Sequence, residues 1–333
     1  MKNQKEQKIE VFYSKDWNDY ELLDTGEGEK LEKFGSYTFV RPCDGAVWKK
    51  TLDEKEWSKV NGKFWSSKEG AIKGWKFKTK INDKWEMSYK GIKFLAEPTS
   101  FRHLGFFPEQ AVHWDYIESK IKEAQILTLS NFSSLRPSLG ALRGTKRDPR
   151  EQKIEKSSDF RKIKFLNLFG YTGVASLFAL RTGAEVTHID ASKISTEWAK
   201  ENQKVAGLEN MPMRIICDDV MKFIEREEKR GNKYDAVIMD PPKFGRGPKG
   251  ETWNIEKDLP KLLSQVKKIL SDKPLFVILN SYAIDSSSLS LSYALEDAMK
   301  ELNGSVSSGE LCLFEKSNKR TIPLSNTAIW SAL

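Results

Sequence analysis

Apolar residues recur along this chain with two different periods. Up to about Pro98 they alternate with polar ones in short stretches set apart by turn residues: Tyr37-Thr38-Phe39-Val40, Gly74-Trp75-Lys76-Phe77-Lys78-Thr79, Lys84-Trp85-Glu86-Met87-Ser88-Tyr89 and Ile92-Lys93-Phe94-Leu95. A period of two describes strands with one buried face, carried by Trp75 and Phe77 and by Trp85, Met87 and Tyr89, and predicts a small antiparallel β domain over residues 1–98. From Phe165 onward, apolar runs of strand length alternate with helical stripes, which predicts an α/β domain over 164–333. Between them, residues 99–163 read as a connector.

The α/β half opens with a strand, Phe165-Leu166-Asn167-Leu168, that turns at Gly170 and Gly173 into a helix. Val174, Leu177, Phe178 and Ala179 give that helix its apolar stripe, Thr172 is its expected cap and Gly183 its stop. The next strand, 185–190, ends in the carboxylate of Asp190. Ser192 caps a helix reaching Ala206, with Gly207 as the stop, and 213–217 is a third strand. Asp218 and Asp219 then open a helix over 220–230, beginning at Val220. A fourth strand, 234–239, delivers Asp240-Pro241-Pro242-Lys243-Phe244. A helix over 259–270, a strand over 275–279, a helix ending near Leu302 and a hairpin of 306–314 with 321–330 complete the alternation.

Strand, glycine turn, helix and acidic second strand end make the nucleotide half of a doubly wound fold, whose ligands sit beyond the carboxyl ends of the strands. A pyrophosphate cofactor wants G-x-G-x-x-G. Only Gly170 and Gly173 are present, and Phe169 and Tyr171 crowd the loop. S-adenosylmethionine carries a sulfonium, an α-amino group and a ribose instead of a phosphate. It needs close backbone approach at the turn and carboxylates for its hydroxyls, which fits this sequence better, with Asp190 as the ribose ligand. Asp218 and Asp219 read either as holders of an adenine amino group or as an ordinary helix cap. At 240–242 the two prolines fix φ and remove donors, so Asp240 is held rigidly and neighbouring carbonyls are left to accept from a target amino group. The glycine-rich continuation with Lys243, Arg246 and Lys249 reads as a loop approaching an anionic substrate.

Charge and composition narrow the classes further. The chain has 333 residues, 39% hydrophobic and 31% charged, which suggests roughly two domains of an ordinary globular kind. Cys43, Cys217 and Cys312 are too few and too scattered for a disulfide framework or a zinc site, so a reduced cytoplasm and no metal are expected. Residues 1–6 lack the apolar core expected of a signal peptide, and no run approaches the ~18 apolar residues of a membrane span. A net charge of +8 favours a polyanionic partner, though a lysine-rich proteome gives the same number. Six of the ten tryptophans, Trp17, Trp48, Trp57, Trp65, Trp75 and Trp85, lie before residue 98 among lysines such as Lys63, Lys73, Lys76, Lys78 and Lys80. They either stack on bases or fill the core of a small domain. In the connector, 101–117 concentrates polar groups, among them Arg102, His103 and His113, and passes into a helix reaching about Leu127. A basic stretch at 131–164 is either a nucleic-acid arm or a solvated insertion.

With these residues in hand, the chain resembles a class I S-adenosylmethionine-dependent methyltransferase of the bacterial group related to the large-subunit ribosomal RNA methyltransferases. The resemblance rests on N-L-F-G-Y-T-G at 167–173, H-I-D-A-S-K at 188–193, C-D-D at 217–219, D-P-P-K-F-G-R-G-P-K-G-E at 240–251 and F-R-H-L-G-F-F-P-E-Q-A at 101–111. It implies a Rossmann-like sheet of seven strands with the last antiparallel. It implies cofactor contacts from Phe169, Gly170, Tyr171 and Gly173, with Asn167 and Thr172 in the same motif. Asp190, Ala191 and Ser192 would serve the ribose, Asp218, Asp219 and Val220 the adenine, and Asp240 the methionine end. Relatives that methylate carbon 5 of cytosine carry a cysteine after the strand that follows D-P-P; here Leu279-Asn280-Ser281-Tyr282-Ala283 has none. The resulting expectation is methylation of an RNA base without a cysteine nucleophile, with Asp240 to Phe244 at the reacting centre and Arg102, His103, Arg246 and Lys249 on the substrate. Two alternatives stand beside it: a methyltransferase for a protein or small molecule, and a non-catalytic RNA-binding protein.

Overall fold

The computed structural model describes residues 8–65, 74–134, 162–282 and 287–333. In chain order the amino-terminal part supplies β1 (Ile9–Phe12), β2 (Tyr20–Gly26), β3 (Glu29–Phe34), β4 (Tyr37–Pro42), α1 (Glu54–Ser58), β5 (Gly62–Trp65), β6 (Gly74–Phe77), β7 (Trp85–Tyr89) and β8 (Ile92–Ala96). A single 3-10 turn at Pro108–Gln110 runs straight into α2 (Ala111–Ser134), a longer helix than the sequence suggests. Then follow β9 (Lys164–Leu168), α3 (Val174–Leu180), β10 (Glu185–Asp190), α4 (Lys193–Val205), β11 (Met213–Cys217), α5 (Val220–Lys229) and β12 (Ala236–Met239). The chain ends with β13 (Phe244–Arg246), β14 (Thr252–Asn254), α6 (Ile255–Lys268), β15 (Phe276–Ser281), α7 (Ser288–Met299), β16 (Gly304–Phe314) and β17 (Thr321–Ala332). The basic stretch of the connector lies between 135 and 161 outside the described residues, as do residues 1–7 and Lys73.

The main sheet has the order β1-β16-β17-β15-β12-β9-β10-β11. The seven strands from β9 onward that belong to it include one antiparallel member, β17, which pairs against both β15 and β16. An eighth strand comes from the far end of the chain: β1 pairs in parallel with β16 at the sheet's edge. From β9 the chain steps outward through β10 to β11 and returns to the other side of β9 as β12. That reversal of direction is the topological switch point, where ligands of such sheets bind beyond the carboxyl ends.

The amino-terminal strands form a five-stranded sheet, β2-β3-β4-β5-β6, and a separate hairpin of β7 with β8. Pairs are antiparallel except β4 with β5, which run parallel across the crossover through α1. In β7 the expected alternation holds, with Trp85, Met87 and Tyr89 buried, whereas Phe77 of β6 is 42% exposed. β2 and β3 carry buried polar residues, so no alternation announces them. Asp24 accepts from Trp57 Nε1, from the amides of Thr51 and Leu52, and from Ser317. Glu32 holds Arg41 at 2.7 Å and Tyr20 at 2.8 Å. Most of the tryptophans serve the core: Trp17 sits among Tyr20, Tyr89, Phe94, Phe106 and Trp114, within 6.3 Å of each ring. Trp65 is exposed, beneath Lys63. Buried aromatics of both parts join in one cluster that reaches Val174, Leu177 and Phe178 of α3. The change of architecture near residue 98 is thus bridged by continuous packing.

Candidate functional site

Leaving β9, the backbone adopts left-handed conformations at Phe169 (φ 56°), Tyr171 (φ 51°) and Gly173 (φ 83°). Such positions cost a non-glycine residue roughly 1–3 kcal/mol and need surrounding structure to hold them. That structure is present. The Gly170 amide donates to the Ile189 carbonyl at 2.9 Å, the Tyr171 amide to Asp190 Oδ2 at 2.9 Å, and Gly173 to Gly170 at 3.0 Å. Gly170 is required by protein packing, since a Cβ there would stand 2.3 Å from the His188 ring. At Gly173 a Cβ would meet Ala199 at 3.0 Å. Thr172 does not cap α3, since Gly173 occupies that position without a side-chain cap. Its hydroxyl donates instead to the Gly105 carbonyl at 2.5 Å, and its own carbonyl accepts from Asn202, tying turn, connector and α4 together. Asn167, buried in β9, donates to Ser176 at 2.9 Å and so fixes α3 to the strand.

Asp190 closes β10 beside this turn. Its second oxygen accepts from the Ser192 amide at 2.8 Å, and burial pushes its pKa up from the ordinary value. Ser192 caps α4 as expected, accepting from Ser195. The Ala191 carbonyl accepts from the Cys217 thiol. One strand further out, Asp219 is the cap of α5, accepting from the Lys222 amide, and Val220 is that helix's buried first residue. Asp218 is ion-paired with Arg226 and accepts from the Asp219 amide. Asp219 therefore realises the cap reading, and an adenine contact at Asp218 would be shared with Arg226.

On the other side of β9, Asp240 stands at the end of β12 and is only partly exposed. Asn280 of β15 donates to its Oδ1 at 3.1 Å, and Gln110 donates to Oδ2 at 3.2 Å. Burial pushes the Asp240 pKa up to about 7; the bond from Asn280 opposes this and the nearby Glu109 carboxylate adds to it. The orientation of Gln110 follows from its other partner. Gln110 Oε1 can only accept, so His113 Nδ1, 2.8 Å away, is the donor. Nε2 of His113 then accepts from the Thr327 hydroxyl at 3.0 Å, the nearer of that hydroxyl's two acceptors. Burial holds His113 at about 3, so it stays neutral and the chain of bonds keeps one sense at physiological pH.

Pro241 is buried, and the carbonyls after it each accept one bond within the protein: Trp253 Nε1 donates to the Pro242 carbonyl at 2.7 Å and the Ile255 amide to that of Lys243 at 3.1 Å. The glycine-rich run is an ordered hairpin of β13 with β14, closed by Gly247 bonded to Glu251. Phe244, 65% exposed, and the exposed Arg246 and Lys249 project from it, while Trp253 packs on Phe169 at 5.2 Å. Arg102 is exposed near Asp44, and His103 packs against Phe107 at 4.7 Å, held neutral with a pKa of about 3 by burial and by Arg41 and Arg102.

The turn, Phe107, Gln110 and Asp240 enclose a cavity of about 60 Å³, with Asp190 and Asp218 half-buried at neighbouring strand ends. Each carboxylate of Asp190 and Asp240 has about four acceptor sites and uses two within the protein. That donor set fits a ligand with a diol at one end and a cation at the other: Asp190 for the hydroxyls, Asp240 for the positive charge. Gln110, Glu109, Asn280 and Tyr282 were not singled out from sequence. Their signal was a polar residue ending an apolar strand, and two more polar residues in the 101–111 motif.

A family model described as "Conserved hypothetical protein 95" matches residues 117–278. The crystal structure of an S-adenosylmethionine-dependent methyltransferase from Agrobacterium tumefaciens is similar over 97% of this chain and 94% of that one, at 38% identity and a TM-score of 0.81. A methyltransferase structure from Streptococcus mutans, at 14% identity and a TM-score of 0.63 over 95% of this chain and 76% of that one, shares the fold. Ribosomal RNA large subunit methyltransferase K of Neisseria meningitidis is 30% identical over 143 residues, 41% of this chain and 40% of that protein. Methyltransferase K/L of Syntrophotalea carbinolica is 32% identical over 120 residues, 35% of this chain and 16% of that protein. The chain thus spans less than half the length of these two curated relatives. Among the described residues no helix is long and apolar enough to cross a membrane, and no group of three or more His, Cys, Asp or Glu could hold a metal ion.

Proposed function

Because the chain belongs to the class I S-adenosylmethionine-dependent methyltransferases, we propose that it transfers a methyl group to a nitrogen of an RNA base. The observation that carries this reading is Asp240, a largely buried carboxylate with a pKa of about 7 at the switch point of the sheet, facing the turn after β9. When bound, S-adenosylmethionine supplies an electrophilic methyl on a cationic sulfur. Asp190 would hold the ribose, the turn at 169–173 the body of the cofactor, and Asp218 the adenine edge.

Asp240 would then accept a hydrogen bond from the nitrogen to be methylated. As the nitrogen gains the methyl group that bound cofactor would supply, its proton would pass to the Asp240 carboxylate. A carboxylate poised near neutrality suits that exchange, and the larger part of the rate would come from alignment. Carbon methylation through a thiolate finds no support: Cys43 and Cys312 are buried thiols whose pKa values burial raises, and Cys217 lies beyond Asp190. The ribosomal RNA methyltransferases among the relatives, and the net charge of +8, support RNA as the acceptor.

The test is methyl transfer from labelled cofactor to ribosomal RNA transcripts. At saturating cofactor, Asp240→Ala should lose about 100-fold or more in rate, beyond any loss of cofactor affinity measured by calorimetry. Full turnover in that variant contradicts the assignment, as would RNA binding that does not weaken with salt.

A further inference from the structure

A second cavity, of about 180 Å³, opens beside the first and shares the Phe107 wall with it. It lies where the amino-terminal sheet meets the methyltransferase sheet. One side is a row of rings: His103 against Phe107 at 4.7 Å, and Phe107 against Tyr282 at 4.9 Å with their planes 34° apart. Glu109, buried with 4% exposure, also lines it. At its rim stands the exposed Arg102. The amino-terminal sheet builds this wall: Arg41, locked on Glu32, donates at 2.9 Å to the carbonyl of Arg102 and so anchors the loop.

We propose that this cavity seats the acceptor base, turned out of its strand, with its ring against Phe107 and Tyr282, an amino edge toward Glu109 and its flanking phosphate on Arg102. The inference rests on the RNA reading above and names the part of the protein that receives the substrate. Stacking on aromatic rings with edge recognition by a carboxylate is how single unstacked bases are held, and phosphates fall to exposed arginines. A space of this size admits one base and no duplex. Gln110 makes the link to the chemistry, since its Nε2 lies 3.2 Å from Asp240 Oδ2 and 3.3 Å from the Tyr282 hydroxyl. The amino-terminal sheet is thereby a wall of the reaction chamber, and the Trp-rich region contributes through position and not through stacking of its own tryptophans.

Gly45 lines this cavity, has ordinary backbone torsions, and would meet nothing within 4 Å at its Cβ. Gly45→Phe should therefore fold and block the seat. With ribosomal RNA transcripts as substrate we expect kcat/KM for RNA to fall by about 20-fold or more while calorimetric affinity for S-adenosylmethionine is unchanged. Arg102→Glu, at an exposed site that cannot unfold the protein, should raise KM for RNA about tenfold, with Arg102→Lys recovering most of it. If wild-type protein methylates RNA and both G45F and R102E do so equally well, the cavity is not the seat and the inference fails while the RNA reading stands. If wild-type protein transfers no methyl group to RNA, the RNA reading fails and takes this inference with it.

Discussion

Asp190 and Asp240 close β10 and β12, the two strands that flank β9, and they are held in opposite ways. Asp190 accepts from the amides of Tyr171 and Ser192, so its position is set by backbone a few residues away or one strand across. Asp240 accepts from the side chains of Gln110 and Asn280, which come from the connector 130 residues earlier and from β15 40 residues later. Burial raises the pKa of both, at Asp240 to about 7. Backbone amide donors aligned on Asp190 favour its anionic form, suited to binding. Side-chain donors, a neighbouring carboxylate and burial leave Asp240 free to gain and lose a proton, suited to turnover.

The largest effect should follow from removing the anion of the first corner. Asp190→Ala leaves the Tyr171 and Ser192 amides without acceptors and releases the left-handed turn. Charge-assisted bonds contribute about 1.5–3 kcal/mol each, so calorimetry should show cofactor affinity falling about 100-fold or more. An affinity within threefold of wild type would remove Asp190 from the binding site. Next comes Gly170→Ala, whose methyl would stand 2.3 Å from His188. Overpacking of this kind costs roughly 1–3 kcal/mol, to be read as a lower chemical midpoint with unchanged slope. A neutral result would mean that the turn yields more easily than the bonds around it suggest.

In the second corner the expected effect is smaller and different in kind. Gln110→Ala removes a donor to the charged form of Asp240, so its pKa should rise. The pH–rate profile should shift upward, with about a tenfold loss of kcat below pH 7 and little change in cofactor affinity. A uniform loss across pH would assign Gln110 to the fold alone.

The histidines behind both corners give a stability signature. His103 and His113 are held at about 3 and His188 at about 4, chiefly by burial, with Arg41 and Arg102 adding to it at His103, against about 6.5 in an unfolded chain. Between those values the unfolded chain binds more protons, so stability is full above pH 6.5 and is lost as pH falls toward 4. Each histidine contributes up to about 1.4 kcal/mol per pH unit across that window, and His113→Gln should flatten the fall measured by chemical denaturation. The smallest effect belongs to the exposed hairpin. Arg246→Ala and Lys249→Ala should each lower the salt slope of RNA binding by about one, and unchanged slopes would place the phosphates elsewhere.

The same contrast explains what the sequence disclosed. The caps Ser192 and Asp219, the strand Met213–Cys217 and the closing hairpin were legible because each is fixed by residues close in the chain. β2 and β3 were not, because Asp24 and Glu32 are buried there against partners that no local period reveals. β1 was missed because its pairing partner, β16, lies some 300 residues away. At the site, Asp190 and Asp240 were legible as acidic strand ends. Gln110 and Asn280 were not, since only the fold brings the connector and β15 to one carboxylate. One local inference failed for the same reason: Thr172 bonds to Gly105 and does not cap α3.

Single-turnover methyl transfer to ribosomal RNA, followed from pH 5.5 to 8.5 in wild-type protein and in Asp240→Asn, tests the central claim most directly. The wild-type rate should climb with pH to a midpoint near 7 and then level off, while the variant should be slow and flat at saturating cofactor. A variant that keeps the wild-type rate and pH profile would show that Asp240 neither holds the acceptor nor takes its proton.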